Sequence, residues 1–273
     1  MNELKNEKPI GESIRELYGF LILLRTYIFS CEYSESEETG VNKTFYFNIR
    51  NDYRIINMKI DQNSNLEIFV SNIIYGNSKI NIYSPKVDNH LYIMELYGLI
   101  IEYNSNDRSI SFLNKNEIDV NGENKELLIR FFDDWVKFSN EYRELSSVTY
   151  KIQEILTDNK YRSVINPFTE NNFRISDTYS LDAIYTDKNN REVLLVTNYL
   201  QENKYKLKLS LNNIEYTIEF TLNEYNQIIV LSYIVNNSYI DSPILNFLLK
   251  SNCILGQCIR NIFRDDDNQN ITY

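Results

Sequence analysis

The chain has 273 residues, 43% hydrophobic and 24% charged, which excludes collagen-like, mucin-like and wholly disordered classes and leaves an ordinary globular protein. Lys+Arg number 28 against 38 Asp+Glu, a formal charge of −10 that repels phosphate backbones and anionic membrane surfaces. Asn, Ile and Tyr are abundant while Gly (7) and Pro (4) are scarce and Ala183 is the sole alanine, a skew that follows AT-rich codons and points to a low-GC genome, cellular or viral. The sequons at Asn42, Asn236 and Asn270 follow from the same skew and carry no weight as glycosylation sites.

In chain order, Ile10, Ile14, Leu17, Leu21, Leu24 and Ile28 recur at steps of four and three, which predicts a core-facing helix over 11–30. Its apolar run from Leu17 is interrupted by Arg25 and falls short of the roughly 20 residues that cross a bilayer. The acidic stretch Glu32 to Glu38, followed by Gly40, reads as a solvated loop. The period then changes to two. Phe45, Phe47 and Ile49 alternate with polar neighbours, and further strands are expected at 53–60, 66–75, 79–84, 91–103 and 108–113, parted by Asn, Asp and Ser clusters.

Helical spacing returns at Leu127, Phe131, Trp135, Phe138, Tyr142 and Leu145 and continues through Val148, Ile152 and Ile155, with Asp133, Asp134 and Lys137 off that stripe. A second set of strands is expected at 179–186, 191–200, 204–210, 213–222 and 226–235. Lys204 to Leu222 gives the sharpest register. With Asn212-Asn213 as a two-residue turn, Leu209 faces Tyr216, Leu207 faces Ile218 and Tyr205 faces Phe220, while Lys206 meets Glu219 on the other face. A helical pattern from Pro243 through Phe247, Leu248, Leu255, Ile259 and Ile262 closes the chain, and Asp265-Asp266-Asp267 opens a tail expected to be disordered. The fold class expected is α+β, antiparallel sheets flanked by helices, either in two similar halves at 1–140 and 141–273 with no residue-level identity between them or as one unit in which a continuous helix joins both sheets.

Few residues carry catalytic chemistry. His90, the single histidine, sits in Val87-Asp88-Asn89-His90 and reads as a solvated loop residue; no Gly-X-Ser-X-Gly elbow accompanies it. Cys253 and Cys258 are five apart on a helical stripe that makes them core-facing, so they read as small apolar residues rather than zinc ligands. Single, scattered glycines build neither a dinucleotide fingerprint nor a phosphate loop. Lys204, Tyr205, Lys206 and Lys208 interleave an aromatic with lysines, but the hairpin register sends Tyr205 to the opposite face and gives Lys206 a carboxylate partner.

One carboxylate pattern has catalytic potential. Asp182 and Glu192 lie on adjacent strands, an arrangement restriction-like nucleases use for Mg²⁺ with a lysine two residues after the second acid; here that position is Leu194. Three readings follow. The first is a non-enzymatic protein-binding scaffold, adaptor or chaperone-like protein with an acidic surface and no cofactor, whose partner is another protein, basic or presenting an extended segment, rather than nucleic acid or membrane. The second is a metal-dependent phosphodiesterase or nuclease using Asp182 and Glu192. The third is lipid anchoring at Cys31, suggested by Ile28-Phe29-Ser30-Cys31 and opposed by Arg25 and the acids before it. The three cysteines form no disulfide framework, which favours a reducing, cytoplasmic setting.

Overall fold

The structure, a computed structural model, describes residues 10–30, 35–39, 42–51, 54–61, 63–72, 76–83, 90–96, 99–113, 122–166, 180–200 and 203–264. Fifteen strands and four helices occur among them, in two antiparallel meanders. The chain divides into two compact units, Met1–Glu144 and Leu145–Tyr273.

The first unit begins with α1 (Ile10–Ser30), as the helical spacing predicts; Ile14, Leu17, Phe20 and Leu21 are buried. An eight-stranded sheet follows in sequence order: β1 (Glu35–Thr39), β2 (Asn42–Asn51), β3 (Arg54–Ile60), β4 (Leu66–Asn72), β5 (Gly76–Tyr83), β6 (Leu91–Leu96), β7 (Leu99–Asn104) and β8 (Ser109–Phe112). Two expectations are corrected here. The acidic stretch expected to be a loop contains β1, an edge strand; an edge has no second neighbour to impose an apolar alternation, so its sequence reads as polar throughout. The single strand expected over 91–103 is a hairpin, because Leu96 pairs with Leu99 and the chain reverses between them. Met58, Ile60, Leu66, Ile68, Ile80, Ile82, Met94 and Ile101 all point to one buried face at a period of two.

The long helix α2 (Gly122–Thr157) contributes to both units. Within the first unit it buries Leu128, Phe131, Phe132, Trp135, Phe138 and Tyr142, while Leu127 of the expected stripe is only half-buried. Phe132 stacks on Tyr103 of β7 at 4.7 Å between ring centroids, and Phe138 stacks between Trp135 and Tyr142 at 5.4 and 6.0 Å. Within the second unit it buries Leu145, Val148, Ile152 and Ile155.

The second sheet has seven strands: β9 (Arg162–Asn166), β10 (Ser180–Thr186), β11 (Glu192–Tyr199), β12 (Lys204–Leu211), β13 (Ile214–Leu222), β14 (Ile228–Val235) and β15 (Ser238–Tyr239). The hairpin register stands as expected at Tyr205↔Phe220, Leu207↔Ile218, Leu209↔Tyr216 and Lys206↔Glu219. Lys206 Nζ lies 3.3 Å from Glu219 Oε1, and Asn212 and Asn213 take φ of 53° and 64°, as a two-residue turn requires. Strands β9 and β15 were not foreseen. The closing helical pattern is two helices, α3 (Pro243–Lys250) and α4 (Cys253–Ile262), because Asn252 leaves helical geometry to cap the second, its side chain accepting from Leu255 N at 3.1 Å. Ser242 caps the first in the same way, accepting from Leu245 N at 3.3 Å.

One turn recurs. In 61–65, 187–191 and 223–227 the first side chain (Asp61, Asp187, Asn223) accepts from the backbone N–H two and four residues on, at 2.8–3.0 Å. The fourth residue (Ser64, Asn190, Asn226) has φ of 58–60°. At the third copy α4 comes close. A Cβ built on Gly256 would lie 1.8 Å from the Asn226 carbonyl oxygen, whereas one on Gly19 of α1 meets nothing within 4 Å. Gly256→Ala therefore lowers stability by about 3 kcal/mol, since backbone must shift, and Gly19→Ala raises it by about 0.5–1 kcal/mol. Urea unfolding of the two variants checks the opposite signs.

Candidate functional site

Asp182 and Glu192 are not brought together. Asp182 pairs with Thr197, and Glu192 lies opposite Thr186, four residues along β10. At strand rise that is about 13 Å, far beyond what one Mg²⁺ spans with oxygens held at about 2.1 Å. A register shift between Tyr185 and Thr186 adds to the separation, and Leu194, in the place of the nuclease lysine, is fully buried. Among the described residues no three His, Cys, Asp or Glu side chains cluster as a metal site.

Asp182 instead begins a polar row across the outer face of the second sheet: Asp182, Thr197, Lys206, Glu219 and Ser232, one from each strand from β10 to β14. Ser232 Oγ donates to Glu219 Oε2 at 3.1 Å, on the far side of that carboxylate from Lys206. Lys206, Glu219 and Ser232 are paired with one another, which suits a stable register.

His90 is exposed, in a loop, as expected; its carbonyl accepts from Ser105 N at 2.9 Å. Cys253 corrects the sequence reading: it is the first residue of α4 and exposed, because the helix starts there rather than continuing a stripe from Pro243. Cys258 is half-buried, and burial pushes its thiol up. Cys31 and the tail from Asp265 lie outside the described residues. Iodoacetamide at neutral pH is expected to modify Cys253 well before Cys258, since the thiolate is the nucleophile; peptide mass mapping reads the order.

The acids off the α2 stripe have structural work. Tyr18 OH donates to Asp134 Oδ2 at 3.0 Å, tying α1 to α2. Asp133 accepts from Tyr103 OH at 2.5 Å and from Arg108 at 2.6 Å, which ties the β7–β8 hairpin to α2. Burial first, and then the Asp133 carboxylate, push the Tyr103 hydroxyl up to about 12, against a smaller opposing effect of Arg108. A raised tyrosine stabilises the fold in full below its unfolded pKa of about 10, and that contribution disappears as pH rises from there to about 12. Tyrosinate absorbance is expected to show Asp133→Asn ionising Tyr103 at lower pH than the parent.

This clamp fixes the inner side of the rungs whose outer side carries the most promising surface. Tyr92 pairs with Tyr103 on the buried face, and the neighbouring rungs Leu91↔Asn104 and Ile93↔Glu102 face outward. Tyr83 lies opposite Ile93 on the other side. Tyr83, Leu91 and Ile93 thus form one apolar patch, 44, 37 and 36% exposed. Two carboxylates border it: Glu102, which accepts from Ser111 Oγ at 3.4 Å, and Glu95, which accepts from Asn81 Nδ2 at 2.9 Å. The sequence reading missed it by running 91–103 as one strand, although Gly98 inside that run signals a bend.

Comparison with protein-family models, with curated proteins and with solved structures finds no match for this chain. Among the described residues no helix is long and apolar enough to cross a membrane.

Proposed function

We propose that the protein acts by binding another protein, as a scaffold, adaptor or chaperone-like module, through the outer face of its first sheet. The observation that carries this reading is the patch of Tyr83, Leu91 and Ile93 bordered by Glu95 and Glu102. Apolar side chains at the centre of a contact lose water and supply its energy, while flanking charges select the partner. A strand or helix presenting aliphatic side chains beside Lys or Arg matches this surface, and the chain charge of −10 steers such a basic partner toward it. Its three cysteines, with no disulfide framework, support an intracellular setting.

Ile93→Glu is expected to leave the thermal melt nearly unchanged, because the side chain is exposed, and to abolish crosslinking to the partner in cells. Glu102→Lys is expected to reduce crosslinking more at low salt than at high salt. The reading fails if every species crosslinked to the parent protein is recovered equally with Ile93→Glu.

A further inference from the structure

We propose that two copies of this chain join edge to edge through β9, antiparallel and centred on Val164, so that their seven-stranded sheets become one. The inference rests on how the four sheet edges differ, and it is independent of the patch on the first sheet. An open edge presents unpaired backbone groups and must be blunted or used. Strand β1 is the acidic sequence Glu35-Ser36-Glu37-Glu38-Thr39, and β8 is only four residues long. The β14 edge is covered at Ile234 and Val235 by β15, and its register with β13 shifts so that Leu231 has no opposite residue. Such a bulge bends an edge away from a partner.

Among the described residues, strand β9 has none of these devices. It runs five residues, pairs with β10 without a register shift, contains no acid and no proline, and ends the sheet order. Val164, at 57%, is the most exposed aliphatic side chain among the described residues. A second copy is the occupant that this sequence complements. In antiparallel pairing centred on Val164, each Val164 meets its own image, Ser163 stands opposite Ile165, and Arg162 opposite Asn166. No like charges meet across the new ladder. The two Arg162 residues lie about 13 Å apart at strand rise, beyond the screening length of about 8 Å at physiological salt. Two chains of charge −10 repel at long range, so association strengthens as salt screens them. The pairing is isologous and closes at two chains rather than growing into a filament.

Sedimentation equilibrium is expected to give the parent protein twice the 32.5 kDa chain mass, with the dimer fraction rising with salt. Val164→Lys is expected to give the single-chain mass with an unchanged thermal melt. In a background with Cys31, Cys253 and Cys258 replaced by Ser, Val164→Cys is expected to form a covalent dimer under mild oxidation, since directly opposed antiparallel residues lie within disulfide reach. Leu200→Cys, similarly exposed at 52%, is expected to stay uncrosslinked. A single-chain mass for the parent at every concentration, as when a foreign strand is the natural occupant of this edge, overturns the proposal. A dimer that survives Val164→Lys, or crosslinking of Val164→Cys no faster than that of Leu200→Cys, overturns it as well.

Discussion

Reversing direction between adjacent strands demands backbone in the left-handed region, which ordinary side chains resist at about 1–2 kcal/mol per residue. Glycine is the usual answer, and this chain has seven in 273 residues. Asparagine takes its place. Asn190, Asn203, Asn212, Asn213, Asn226, Asn236 and Asn237 all have positive φ, joined among the described non-glycine residues by Ser64 and Arg108. Asparagine tolerates that region because its short polar side chain bonds locally to the backbone, and the turns at 61–65, 187–191 and 223–227 add an Asp or Asn that accepts two backbone N–H groups at once. Each turn sets the register of the hairpin it closes. A slip of one residue would send Met58, Ile60, Leu66 and Ile68, or Leu207, Leu209, Tyr216 and Ile218, to the wrong face.

Two consequences follow for architecture. Strands consecutive in sequence are neighbours in space, so both sheets are meanders without crossovers. An open meander of this kind has one face buried against helices and one face turned away from them. The buried face is bulky and well defined by aromatic packing, as in the stack of Phe132 on Tyr103, and the Tyr103 hydroxyl within it is satisfied by Asp133. The outward face is where binding chemistry can vary without loss of fold.

Legibility in the sequence tracked how many constraints bear on a segment. The Lys204 to Leu222 hairpin was readable to single-residue register because turn type, apolar alternation and the Lys206–Glu219 pair all agree. Helix α2 was readable because its apolar spacing is sustained from Leu127 to Ile155. Edges were not: β1 and β9 have one neighbour each, so half of their pairing partners impose nothing on the sequence, and β1 read as a charge run. Periodicity alone does not mark chain reversal either, which is why β6 and β7 read as one strand and α3 and α4 as one helix; in each case a single residue, Gly98 or Asn252, held the information.

The same reasoning explains why the expected carboxylate pair has no common role. Asp182 and Glu192 are close in sequence because a five-residue turn separates their strands, but antiparallel pairing brings together residues equidistant from a turn, and these two are not. Asp182 lies five residues before Asp187 at the head of that turn, while Glu192 follows Arg191 at its foot. The first therefore sits deep in the sheet beside Thr197, and the second stays at the sheet end beside Thr186. Residues that do stand equidistant form rungs such as Ile93 with Glu102, which is how an apolar centre and an acidic border come to share one face. Chemistry on a meander is thus placed by distance from the turn, and the rungs of β6 and β7 satisfy this rule by setting exposed apolar side chains beside carboxylates on one face.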